Sequence, residues 1–111
     1  MSEAKSDESG PTPTPPELGS RQRKYLRGLA HGLEPIVHVG NAGVTDAVLR
    51  ALDAALTAHE LVKVRLHQPS DKHGDAEALA AGSGAALCGL VGHVVILYRP
   101  HPKKPKIVVG D

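Results

Sequence analysis

The sequence predicts one α/β domain with the order α-β-α-β-α-β-β over residues 20–109. Three observations carry that prediction. Helical and strand-like apolar periodicities alternate along the chain, as they do in folds that lay helices on a sheet. Glycine and proline fall between the periodic stretches, where turns are required. Aromatic residues make up only 2% of the chain, with two Tyr and neither Trp nor Phe, so the core must be built from Val, Leu, Ile and Ala.

Each element follows from its own residues. Residues 1–19, "MSEAKSDESGPTPTPPELG", are rich in Ser, Pro, Thr and acids and have almost nothing to bury, so they are expected to be a disordered acidic tail. Order is expected from Ser20, a candidate N-cap for a first helix. In that helix Tyr25, Leu26, Leu29 and Leu33 recur at helical spacing, while Arg21, Arg23, Lys24 and Arg27 fall largely on other faces. Gly32 ends it, and Pro35 disfavours continuation. "PIVHV" is β-branched and reads as a short strand. Thr45 then caps a second helix, with Asp46 in its first turn, an apolar stripe of Val44, Val48, Ala51, Leu52, Ala55 and Leu56, and an end near His59.

"ELVKVRLH" alternates strictly. Val62, Val64 and Leu66 share one face; Lys63, Arg65 and His67 share the other, giving a half-exposed strand with a basic outer face. A short third helix is expected from about Asp75 to Ala81, broken by Gly82-Ser83-Gly84. "ALCGLVG" and "HVVILYRP" read as an antiparallel pair joined at Gly92-His93. The second of these is apolar on both faces and so belongs in the middle of the sheet. The first two strands, joined by a helix, are expected to be parallel. "HPKKPKIVVGD" is a Pro-punctuated basic segment whose end reads as an edge strand.

Charge narrows the function. The net charge of +1 conceals an acidic leader of −3 over residues 1–19 and a basic remainder of +4. That balance permits a polyanionic partner. The single cysteine, Cys88, allows no internal disulfide and no paired-Cys zinc site, which fits a reducing compartment. The N-terminus lacks the apolar core of a signal peptide, and no apolar run approaches the roughly 18–20 residues of a membrane span. A cytoplasmic chain without membrane contact is the expectation.

The stretch "HVGNAGVTDAVL" joins a strand to a helix through Gly40-Asn41-Ala42-Gly43. Such a junction gathers backbone N–H groups and the positive end of a helix dipole, which suits an anion. Taken alone it reads first as a plain turn, because it lacks the third glycine of a dinucleotide fingerprint and the Gly-Lys-Ser/Thr of a P-loop. The neighbouring cations tip the reading. Arg21, Arg23, Lys24 and Arg27 crowd the first helix, Lys63 and Arg65 mark one strand face, and Arg99, Lys103, Lys104 and Lys106 follow the last strand. Together they suggest a track for a phosphate backbone.

No catalytic or metal site emerges. The seven histidines form neither an HExxH pattern nor a Cys-His cluster, so they read as surface or structural residues. "AGSGA" around Ser83 departs from the GxSxG elbow, Cys88 lies in an apolar strand, and Asp71, Asp75 and Glu77 sit where acids cap a helix. No nucleophile, base and orienting group can be assembled. No cofactor is expected.

One family unites these pieces. "RQRKYLRGLAHGLEPIVHVGNAGVTDAVLRALDAALTAHELVKVRL", with "VGHVVILYRP" and "KPKIVV" after it, closely resembles the bacterial YhbY family, stand-alone CRM (chloroplast RNA splicing and ribosome maturation) domains. The resemblance spans about residues 20–109. It implies an αβαβαββ, two-layer α+β-like fold with a mixed four-stranded sheet, similar to the C-terminal domain of translation initiation factor 3. It also implies RNA binding and association with ribosomal RNA in precursors of the large ribosomal subunit; with no catalytic set in the sequence, a monomeric, non-enzymatic protein is the expectation. Carried over by position, the GxxG loop is Gly40, Asn41, Ala42 and Gly43, leading into Thr45, and the basic helix is Arg21, Arg23, Lys24 and Arg27. Many relatives place Lys directly after the first glycine; here Asn41 stands there, a donor without the charge. A rival from another class is a protein–protein adaptor whose basic faces meet acidic protein on the ribosome or a maturation factor.

Overall fold

The computed structural model describes residues 15–110. The expected disorder of the first residues therefore lies largely outside the described part. Seven elements follow in the expected order: α1 (Ser20–Ala30), β1 (Val37–Val39), α2 (Asp46–His59), β2 (Leu61–Leu66), α3 (Lys72–Ser83), β3 (Ala86–Val91) and β4 (Val94–Tyr98). The strands form one sheet in the order β1-β2-β4-β3. β1 and β2 are parallel, and β4 runs antiparallel to both β2 and β3. The strand apolar on both faces is thus central, as its sequence demanded.

Its two faces explain the layering. Val62, Val64 and Leu66 of β2 and Val95 and Leu97 of β4 pack with Leu52 and Leu56 of α2 and Leu79 of α3. The alternate positions Leu61, Ile96 and Tyr98, with Cys88, pack on Leu26 and Ala30 of α1. Burying each such Leu contributes about 1.5–3 kcal/mol, so each face carries helix. The α/β class and the mixed sheet stand as expected, but the two-layer expectation gives way to helices on both sides. Only Leu26 of the expected α1 stripe is fully buried; Tyr25, Leu29 and Leu33 remain exposed. Leu18, ahead of the expected boundary at Ser20, also packs on this second core.

Helix ends differ from expectation for local reasons. Gly19, not Ser20, caps α1, and its N–H donates to Gln22 Oε1 at 2.8 Å. Thr45 caps α2 as expected, accepting from Val48 N–H at 3.2 Å. α3 begins earlier than expected because Asp71 caps it, its Oδ1 accepting from Gly74 N–H at 3.0 Å. It also runs through Gly82, where a Cβ would stand 2.8 Å from Leu49 Cδ2. Gly82 is there for the close approach of α2 and α3, not to break the helix. Gly84, with φ 72°, closes it in the left-handed conformation that glycine adopts without steric cost.

The expected C-terminal edge strand does not form. Instead the tail wraps around Glu60, which is only 1% exposed. Its carboxylate accepts from the backbone N–H groups of His101 and Lys106, and of Ile107 at 2.9 Å. Glu60 also holds φ at 67°, a strained backbone for a non-glycine residue and the point where α2 turns into β2. Ile107 and Val109 are thereby brought onto the α1-side core.

Candidate nucleic-acid interface

In β1 and β2 the residues that alternate with the core positions project on the α1 side of the sheet. His38 stands between the buried Val37 and Val39, and Arg65 between the buried Val64 and Leu66. α1 does not cover this end of the sheet. An open groove of about 700 Å³ remains, lined by Lys24, Arg27, Gly28 and His31 from α1 and by Lys63, Val91, Val94 and Ile96 from the sheet. Three cations and an imidazole therefore meet over a partly apolar floor, which suits a charged backbone with apolar sugar surface.

Two of these cations are held in place. Arg27 Nη1 donates to the carbonyl of Cys88 at 2.8 Å. That carbonyl belongs to a β-bulge, where the register of β3 on β4 skips between Leu87 and Gly89. Gly89 leaves room for the stem, since a Cβ there would lie 2.7 Å from Arg27 Cδ. Lys63 Nζ donates to the carbonyl of Leu33 at 3.1 Å, tying β2 to the segment that follows α1.

The GxxG turn lies at the end of β1. Gly43 N–H donates to the Gly40 carbonyl at 3.0 Å, and Asn41 and Ala42 are exposed at the tip. The two glycines are not equivalent. Gly43 has φ 77° and is required by the turn, whereas Gly40 has an ordinary φ and open space where a Cβ would stand. Thr45 is half-buried, with its hydroxyl oxygen engaged in the cap, so it shapes the start of α2.

The remaining expected contacts divide. Arg21 shares a shallow second groove with Lys24, Tyr25, Gly28 and Leu29. Burial pushes the Cys88 thiol up to about 11, outweighing the nearby charges of Arg23 and Arg27, which act to lower its pKa. Cys88 is thus an inert core residue. Lys103, Lys104 and Lys106 sit on the tail gathered by Glu60, apart from the groove.

Arg99 is a correction. It was expected to contact RNA, but it is only 8% exposed and faces α2 and α3 on the other side of the sheet. Its guanidinium donates to Asp53 Oδ1 at 2.9 Å, the Asp53 carbonyl at 3.1 Å, Thr57 Oγ1 at 3.0 Å and the Ser83 carbonyl at 2.7 Å. A basic residue just past a strand gave no hint that its head would turn inward. Arg99→Met is expected to cost about 2–3 kcal/mol in urea unfolding, because it strips the donor from several acceptors at once. RNA affinity of the folded fraction should stay within about twofold of wild type, as befits a structural role.

His31, His38 and His67 belong to the candidate face, although the seven histidines were read as surface or structural residues. The alternation of β2 already placed His67 beside Lys63 and Arg65. What was not visible is that parallel pairing sets His38 opposite Arg65. Among the described residues, no group of three or more His, Cys, Asp and Glu is placed to hold a metal ion. No helix among them is long and apolar enough to cross a membrane.

Comparison with known proteins converges on one group. Residues 18–99 match the model of the CRS1/YhbY (CRM) domain. The chain is 38% identical over 92 residues to the Probable RNA-binding protein YqeI of Bacillus subtilis, covering 81% of this chain and 96% of that one. It is 38% identical over 85 residues to an RNA-binding protein of Haemophilus influenzae, covering 75% and 86%. Its fold resembles the solution structure of SAV1595 from Staphylococcus aureus with a TM-score of 0.72 at 32% identity, covering 81% of this chain and 95% of that one.

Proposed function

The chain belongs to the CRS1/YhbY (CRM) domain family, and on that premise we propose that it is a non-catalytic RNA-binding protein that assists assembly of the large ribosomal subunit. It acts in the cytoplasm as a monomer, on ribosomal RNA of the subunit precursor. The observation that carries this reading is the groove in which Lys24, Arg27 and Lys63 converge over the sheet, continuous in chain with the exposed GxxG turn. The relatives' RNA-binding names support the class of ligand, and the YhbY resemblance supports the ribosomal target.

Mechanistically, cations attract the backbone and the turn fixes its path. Loop amides and the first turn of α2 offer N–H donors to phosphate, and Asn41 offers an uncharged one. Scarce aromatics leave little for base stacking, so shape and charge carry recognition. With about four phosphates neutralised, log affinity should fall against log salt with a slope of roughly −3. Titration of precursor large-subunit RNA by fluorescence anisotropy across potassium chloride concentrations tests this. Binding that ignores salt would refute it. Pull-down from extract with and without nuclease separates it from the adaptor reading, which requires partners that survive nuclease.

A further inference from the structure

Three exposed side chains on the β1–β2 pair lie outside both cores: His38, Arg65 and His67. His38 and Arg65 are register partners across the parallel pair. His67 N–H donates to the Val39 carbonyl at 2.9 Å, holding the two chains together where the imidazoles meet. Nδ1 of His38 and Nε2 of His67 are 2.9 Å apart, with ring centroids at 5.1 Å and planes inclined by 26°. Among the described residues, no carboxylate forms an ion pair with Arg65.

Other groups nearby give little compensation. Lys63 shares the β2 face, and Lys24, Arg27 and His31 line the adjoining groove. At the β3–β4 turn the His93 carbonyl accepts from Leu66 N–H, and Lys72 Nζ reaches the Gly92 carbonyl at 3.5 Å. Of the carboxylates closest in chain, Glu34 lines a cleft with Leu33, Ile36 and Lys63, Asp46 sits in the first turn of α2, and Asp71 accepts from Gly74 N–H. The surroundings are cationic.

A hydrogen bond between two imidazole nitrogens needs one N–H donor and one bare acceptor. The joined pair therefore carries one positive charge at most. A second proton must land on the acceptor nitrogen, which breaks the bond and sets two cations beside Arg65. An anion seated among the three side chains reverses that cost, because both imidazolium N–H groups and the guanidinium then donate to it. We infer that His38, Arg65 and His67 form a phosphate site, and that the imidazole pair gains protons when an RNA backbone phosphate occupies it. The inference rests on the RNA-binding reading above.

Proton uptake has a measurable sign. Where binding adds protons, lower pH favours the complex, and affinity rises by up to about tenfold per pH unit for each proton taken up. Arginine and lysine contacts alone give no slope there. The test is anisotropy with fluorescein-labelled precursor large-subunit RNA at fixed salt, across about pH 5.5–8. Wild type is expected to show the slope. His38→Gln and His67→Gln should each flatten it; His93→Gln, at the β3–β4 turn, should retain it. A flat wild-type profile, or a slope that survives in the His38→Gln/His67→Gln double variant, overturns the inference. Failure of the RNA reading itself shows separately, as the absence of RNA binding by the wild type at every pH, or as partners that survive nuclease in the pull-down.

Discussion

Replacing Glu60 with Gln is expected to lower the melting temperature at neutral pH by about 10–20 °C. The carboxylate accepts three backbone N–H groups from the tail, and hydrogen bonds to a charged acceptor are worth about 1.5–3 kcal/mol each before partial replacement by the amide. A net loss of about 2–3 kcal/mol translates into that shift for a domain of this size. The Gln amide also turns an N–H pair toward donors where an acceptor is needed. Calorimetry of the full chain checks the prediction; a variant within about 2 °C of wild type would mean that the tail hydrogen bonds contribute nothing net.

Acid should reveal the same residue. Burial pushes the Glu60 carboxyl up, but the His101, Ile107 and Lys106 backbone N–H groups and the His101 charge outweigh it and hold the group below its usual value of 4.5. A carboxyl depressed in the folded state stabilises it above the unfolded value. That contribution is lost as pH falls through the lowered folded value. The difference in stability between wild type and Glu60→Gln should therefore be full above about pH 5 and shrink on acidification below it. A difference that stays constant into acid would assign the effect to packing, not charge.

The second large effect concerns binding. Lys24→Glu combined with Lys63→Glu reverses two cations that face one groove from opposite elements. RNA affinity at about 0.1 M salt should fall by roughly two orders of magnitude or more, and the salt slope should lose about two units. Lys24 is exposed and Lys63 gives up only its hydrogen bond to the Leu33 carbonyl, so far-ultraviolet circular dichroism should be unchanged. Retention of affinity would locate the RNA elsewhere on the molecule.

How much of this was legible in the sequence depends on the range of the interaction. The alternation in "LVKVRL" assigned Val62, Val64, Lys63 and Arg65 to their faces, because side-chain direction in a strand is a local property. Thr45 was legible for the same reason, its cap spanning only three residues. The Gly82 position misled, because its cause is Leu49, on another helix and distant in sequence. Arg99 misled more strongly, since its acceptors come from α2 and the end of α3, and nothing beside "LYRP" announces them. Glu60 was read only as the polar residue opening a strand; its tail partners begin with His101, and the positive φ that aims it has no sequence signature in Glu. The Arg21, Arg23, Lys24 and Arg27 cluster was visible as a cluster. Which of its members face the groove depended on how α1 crosses the sheet.

The bulge at Cys88 bears on how this chain behaves in company. A sheet invites further strands at its margins, where N–H and C=O groups have no partner. One margin here is β1, only three residues long. The other is β3, bent at the bulge, with the freed Cys88 carbonyl already taken by Arg27. A strand from a second molecule would find a short ledge on one side and a guanidinium plug on the other. Gly89 is the residue that admits the plug. The same arginine that lends its charge to the groove thus discourages the sheet from extending into its neighbours.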